Sequence, residues 1–151
     1  MAYVSQARTS AGSTISIAAA PATYDLTGFS GLTWTIINEV TDLGEFGKKY
    51  TLVSHQQLGD RKVVKRKGSY NNGTMSLKMA HVMNDAGQAM LVTARDSDAS
   101  YAFKVVLQNG ETNYFTAQVM EYTVNVSTVD TITQSSVSLE IDNDIVIVAG
   151  T

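Results

Sequence analysis

Thr133 to Ile141 reads TQSSVSLEI, and its side chains alternate without a break. Val137, Leu139 and Ile141 fall on one face, while Gln134, Ser136, Ser138 and Glu140 fall on the other. A period of two is the signature of a strand with one face buried and one face in water. Thr74 to Ala80 repeats it, setting Met75, Leu77 and Met79 against Thr74, Ser76 and Lys78. Ser13 to Ala19 sets Ile15, Ile17 and Ala19 against Thr14, Ser16 and Ala18. In Thr33 to Thr41 the pattern places Trp34, Ile36 and Val40 inward, with Thr33, Thr35, Glu39 and Thr41 outward. Tyr101 to Gln108 and Glu111 to Tyr122 flank Asn109-Gly110, which predicts a two-residue type I′ hairpin with positive φ at both central residues. Ile145 to Val148 reads as a short buried or edge strand, so the chain is expected to be mainly β.

One helix interrupts the strands. Asp85 can cap it, with Gln88 three residues on, and Ala86, Met90 and Ala94 share a face that must pack on a sheet. The expected span is 85–96, weakened by about 1 kcal/mol at Gly87 relative to alanine. The stretch 42–72 differs from everything around it. It is rich in glycine and holds Lys48, Lys49, Arg61, Lys62, Lys65, Arg66 and Lys67, seven of the 11 basic residues in the chain. It is expected to be a long inter-strand loop, poorly ordered until a partner orders it. From Gly110 to the end there are six acidic residues and no lysine or arginine. Charge is thus segregated along the chain, an arrangement that gives a monomer no obvious benefit.

At 151 residues, 44% of them hydrophobic and 17% charged, the sequence suits a single domain over 1–151 that builds its own core. Cysteine is absent, which excludes disulfides, thiolate metal sites and thiol nucleophiles. A formal net charge of -3 argues against a general nucleic-acid binder. No apolar run is long enough for a membrane helix, and MAYVSQARTS lacks the apolar stretch of a secretory signal, so a cytoplasmic origin is expected.

Catalytic constellations are thin. His55 and His81 are the two imidazoles, and neither sits in the context of a nucleophile elbow. Asp96-Ser97-Asp98 and Asp142-Asn143-Asp144 resemble fragments of calcium loops but do not continue into a complete one. The stretch RKVVKRKG, Arg61 to Gly68, lacks the interleaved aromatics of a nucleic-acid platform. It suits a solvated strand face or an acidic protein partner, which the acidic half of the same chain could supply. Neither enzymatic activity nor a cofactor is expected. Opposite their apolar residues, the strands carry threonine, serine and glutamine, the lining a polyanion would slide past without sticking.

The collinear set NDAGQAMLVTA (Asn84 to Ala94), YAFKVVLQNG (Tyr101 to Gly110), YFTAQV (Tyr114 to Val119) and VDTITQSSVSLEI (Val129 to Ile141) resembles the tail tube, or major tail, proteins of long-tailed bacteriophages. VTDLGEFGKKY and KRKGSYNNGTMSL resemble that family's long inter-strand loop and its next strand. The resemblance implies a small β-sandwich or half-open barrel with one flanking helix, whose inner sheets join into a barrel within a hexameric ring. Rings stack into a hollow tube that surrounds a tape-measure protein, meets a tail terminator and distal tail or baseplate proteins, and passes DNA without binding it specifically. The implied location is the virion tail, assembled in the host cytoplasm. This chain stops near its last strand, so no decoration domain is expected. On this reading Thr33, Thr35, Glu39, Thr74, Ser76, Lys78, Gln134, Ser136, Ser138 and Glu140 line the lumen, with Lys78 paired to a neighbouring glutamate. Lys48, Lys49, Arg61, Lys62, Lys65, Arg66 and Lys67 form the ring-stacking loop. A tube of a contractile or type VI secretion-like system is the alternative. A glycan-binding β-sandwich using Tyr70, Tyr101 and Tyr122 is the reading from a different class.

Overall fold

Residues 2–150 are described by a computed structural model. In chain order they form β1 (Thr14–Ala19), α1 (Leu26–Ser30), β2 (Thr35–Ile37), β3 (Val40–Asp42), β4 (Lys49–His55), β5 (Val64–Asn71) and β6 (Thr74–Ala80). Then follow α2 (Ala86–Arg95), β7 (Tyr101–Val106), β8 (Thr112–Asn125), β9 (Gln134–Ile141) and β10 (Val146–Val148). The chain is mainly β. Its main sheet is antiparallel and runs β2-β1-β7-β8-β9-β6-β3, with β10 alongside β8, while β4 and β5 pair only with each other.

The order of that sheet dictates its shape. β2 and β3 stand at opposite edges, yet Asn38 and Glu39 alone separate them in the chain. Three Cα steps cover at most about 11 Å, so the sheet must roll until its edges nearly meet. The result is the half-open barrel expected from the resemblance. Glu39 turns the chain at the seam with φ 65, and its carbonyl accepts the Ala80 N–H at 2.9 Å. Inside the roll, Ile15, Ile17, Met75, Leu77, Met79, Phe103, Phe115 and Leu139 are fully buried. Phe103 and Phe115 stack with ring centroids 5.7 Å apart.

Helix α2 covers the seam. Its N-cap Asp85 accepts from the Gln88 N–H at 3.1 Å and also holds Asn38, through backbone N–H at 3.2 Å and side-chain Nδ2 at 2.7 Å. The buried face is Gly87, Gln88, Leu91 and Ala94. This corrects the expected stripe, because Ala86 is exposed and Met90 is only half-buried. The helix is turned by one residue so that Gly87, rather than a side chain, meets β2. A Cβ there would lie 2.4 Å from the Ile36 carbonyl oxygen.

Three further expectations change. Thr33 to Thr41 is two strands rather than one. Across the break the parity flips, so Ile37 is buried while Ile36 is 46% exposed. The 107–111 connection is a three-residue turn with Gly110 alone at positive φ (89), closed by Leu107 N–H donating to the Glu111 carbonyl at 2.8 Å. Within 42–72 the structure has paired strands, not a structureless loop. Helix α1 is an addition, capped by the Asp25 carboxylate, which accepts the Gly28 N–H at 2.8 Å. Those hydrogen bonds, from Gly28 and from the Thr23 hydroxyl, hold the Asp25 carboxyl below its ordinary pKa.

Candidate assembly surfaces

The two sides of the rolled sheet are clad differently. Outside β1, β7 and the first half of β8, Phe29 of α1 stacks on Tyr114 with centroids 5.5 Å apart, and Trp34 packs beside it. Outside β6, β9 and the second half of β8 the surface is bare. Strand register sets its residues in rows: Thr74, Glu140 and Gln118; then Ser76, Ser138 and Glu121; then Lys78, Ser136 and Thr123; then Gln134 beside Asn125. Thr74 donates its hydroxyl to Glu140 Oε1 at 2.8 Å. Lys78 supplies one positive charge against Glu121 and Glu140, and among the described residues it makes no ion pair, contrary to expectation. The face is polar, hydroxyl-rich and slightly acidic.

A second surface leaves the barrel where β6 begins. The segment 43–48 runs back along β6, with Gly44 close against the Ser76 carbonyl and Gly47 against Gly73. Beyond that point the same two chain segments continue as the β4–β5 hairpin. Gly47 (φ 148) and Gly73 (φ 97) mark the exit, in backbone conformations that side chains disfavour. Every residue of β4 is exposed, and so are Leu58, Val63 and Tyr70 nearby. Tyr50 and Tyr70 pack as a pair, with Lys67 over one ring and Lys48 over the other. Lys48 also reaches Asp144 at 3.8 Å, and Lys49 reaches Glu45 at 3.7 Å. Arg61, Lys62, Lys65 and Arg66 make no such pairs among the described residues.

The third surface lies at the other end of β6. Here the turn 126–133 joins β8 to β9, and His81 N–H donates to the Thr133 carbonyl at 2.9 Å. Beneath it is a satisfied polar cluster. Ser135 donates to the Tyr122 hydroxyl at 3.1 Å, and Tyr122 donates to Gln88 Oε1 at 3.3 Å. His81 Nδ1 lies 2.8 Å from Ser135 Oγ and 3.2 Å from the Tyr122 hydroxyl. Gln88 Nε2 donates to the Ala80 and Asn38 carbonyls at 2.9 and 3.2 Å. A histidine beside a serine is the start of a nucleophilic site, but Ser135 is fully buried and its hydroxyl is committed to Tyr122.

No protein-family model and no curated protein sequence matches the chain. Solved structures do. A chain of the anti-feeding prophage baseplate superposes with a TM-score of 0.72 at 11% identity, over 96% of this chain and 97% of that one. A chain from the tail of an empty GTA particle gives 0.68 at 11% identity, over 95% and 100%. The SPP1 tail tube gives 0.62 at 12% identity, over 92% of this chain and 77% of that one. This is a tail-tube-like fold.

Within the tail-tube-like fold, the expected site residues divide. Thr74, Ser76, Lys78, Gln134, Ser136, Ser138 and Glu140 do share one face. Thr33, Thr35 and Glu39 do not join them. Thr33 precedes β2 and Thr35 is half-buried there at the opposite edge of the sheet, while Glu39 lies on the seam. Sequence reading missed Gln118, Glu121, Thr123 and Asn125, because a bulge at Met120 resets the parity of β8. All seven basic residues expected to stack rings lie on or beside the hairpin. Of the tyrosines offered for glycan stacking, Tyr122 is buried and Tyr101 half-buried.

Three of the four aspartates in the two motifs, Asp96, Asp142 and Asp144, are held by partners within the chain. Asp142 accepts from the Thr116 hydroxyl at 2.6 Å and from the Ser100 hydroxyl, and Asp144 takes Lys48 and Asn72. Asp96 takes the Arg95 guanidinium and, by that hydrogen bond, raises the pKa of the arginine. His55 is exposed on the hairpin opposite Val64.

Proposed function

We propose that this chain is the structural subunit of a tail tube, polymerising as hexameric rings that stack around a channel through which DNA passes during ejection. The observation that carries this reading is the bare β6–β9–β8 face in a fold shared with tail proteins. A face that tight DNA binding would populate with lysine and arginine instead offers hydroxyls, amides and two carboxylates against Lys78. The tube encloses a tape-measure protein during assembly and contacts a terminator at one end and distal tail or baseplate proteins at the other. It acts in the virion tail after assembly in the host cytoplasm, as a non-enzymatic component.

Negative-stain microscopy of the purified protein tests the polymer: rings or tubes are expected, and a permanently monomeric protein contradicts it. Glu140→Lys tests the lumen. The exposed substitution changes subunit stability by less than about 0.5 kcal/mol. It adds a phosphate-binding cation to every ring, so ejection slows and recovers as salt rises. Unchanged ejection at low salt, or tube density with Glu140 on the outer wall, rules the lumen face out. The likeness to the sheath/tube terminator of an extracellular contractile injection system, TM-score 0.68 at 11% identity over 97% of this chain and 100% of that one, supports the tube of a contractile injection system as a second reading. A sheath that co-purifies with native tubes decides for it.

A further inference from the structure

At the root of the hairpin an amine, an amide and a carboxylate meet. Lys49 pairs with Asn71 and Tyr50 with Tyr70, so the antiparallel register sets Lys48 opposite Asn72. One step further the backbones still touch, since a Cβ on Gly73 would lie 3.1 Å from the Gly47 carbonyl oxygen. Directly opposed residues share a face, with Cβ atoms about 5 Å apart. Asp144, just after β9, completes the group. Its Oδ1 lies 3.8 Å from Lys48 Nζ and 3.4 Å from Asn72 Nδ2, so one carboxylate oxygen serves both nitrogens. Asn72 is 9% exposed, and its buried Oδ1 has no hydrogen-bond partner among the described residues. A buried acceptor in that state is relieved by any proton donor that reaches it. The Lys48 side chain is 40% exposed, against 80% for Lys49, and its Nζ lies 4.3 Å from the centroid of the Tyr70 ring.

We propose that Lys48 and Asn72 join in an intramolecular isopeptide bond, with Asp144 as the acid–base group. The Asp144 carboxylate takes a proton from the Lys48 ammonium, and the neutral Nζ attacks Asn72 Cγ. A turn of the amide about Cβ–Cγ brings Oδ1 to the new carboxyl, which protonates it as the Nζ–Cγ bond forms. Collapse of the tetrahedral intermediate re-forms C=O and breaks the bond from Cγ to Nδ2. Through Asp144, Nδ2 collects one proton from Nζ and one from Oδ1 and leaves as ammonium. The charge of Lys48 departs with it, and no other reactant is consumed. Asp144, its side chain 63% exposed, leaves that product a path to water. The competing attack by the Gly73 nitrogen on the same amide is held off, because Gly73 N–H donates to Asn71 Oδ1 at 2.8 Å. The bond closes 48–72 into a covalent ring. A two-stranded hairpin is marginal alone in water, and this link fixes its register at the base without burying its strands. The proposal stands apart from the tube reading and needs no second subunit.

Mass spectrometry of the purified chain tests it. The intact protein is expected to be lighter than its sequence by one ammonia. Trypsin is expected to release the segments holding Lys48 and Asn72 as a single branched peptide, uncut after Lys48. Lys48→Arg, which keeps the charge, and Asp144→Asn should each show the full mass and no branched peptide. Wild-type protein of full mass, with both segments released separately, overturns the proposal. An ammonia loss that persists in Lys48→Arg also overturns it, since it marks a succinimide at an Asn-Gly step. A branched peptide from Asp144→Asn overturns the role given to Asp144. Should either variant fail to fold, the wild-type digest decides whether the bond exists.

Discussion

Two stretches of one ribbon behave as if they belonged to different proteins. Inside the barrel, 40–47 lies along β6, and Met75, Leu77 and Met79 are fully buried in the barrel core. A few residues on, the same two segments pair again as β4 and β5, with β4 exposed along its whole length. Backbone hydrogen bonds are made in both regions. What the hairpin lacks is a third layer: pairing with burial builds the barrel, whereas pairing without burial leaves a segment of low local stability.

The largest effect that could break this contrast comes from placing a charge in each region. Leu77→Asp buries an unpaired carboxylate and should unfold the subunit, read as loss of cooperative melting. Leu52→Asp, on a side chain 63% exposed, should leave the melting curve in place and remove the tubes. Equal melting losses in the two variants would dissolve the distinction.

Next in size is Gln88→Leu at the seam. It strips partners from the Val82 N–H, the Tyr122 hydroxyl and the Ala80 and Asn38 carbonyls. A cost of about 3 kcal/mol, or roughly 10 °C in melting temperature, is expected. Gly73→Ala at the ribbon's exit should cost about 1 kcal/mol, because the new Cβ sits at φ 97 and 3.1 Å from the Gly47 carbonyl. Thermal denaturation measures both.

The smallest effect concerns acid. The Asp25 carboxyl is held below its ordinary value of 3.8 in the folded chain, so its support for α1 is complete above that value and fades as pH falls through the lowered one. Asp25→Asn should remove that acid dependence and nothing else. An Asp25 resonance titrating at or above 3.8 by NMR contradicts the capping account.

Strands β6 and β9 were legible in sequence because nothing interrupts their alternation, and with them came seven residues of the polar face. β8 was not, since a single bulged residue at Met120 reverses the meaning of every position after it. The break at Asn38–Glu39 was equally silent. A glutamate at positive φ leaves no mark in composition, and the seam that imposes it is made by residues 47 and 50 positions away, Asp85 and Gln88. The Asp25 cap was visible as a residue type, but the five-residue helix it starts is too short to show a period. In the hairpin, glycines and clustered cations masked two strands whose pairing is local and whose burial is absent. Pattern reading depends on burial, and it fails where the structure withholds it.

Amide hydrogen exchange on free subunits and on assembled tubes compares the two regions directly. Residues 49–55 and 64–71 should exchange rapidly in the free subunit and become protected on assembly, while β6, β9 and α2 stay protected in both. A hairpin as protected as the barrel in the free subunit, or one still unprotected within tubes, would contradict the account.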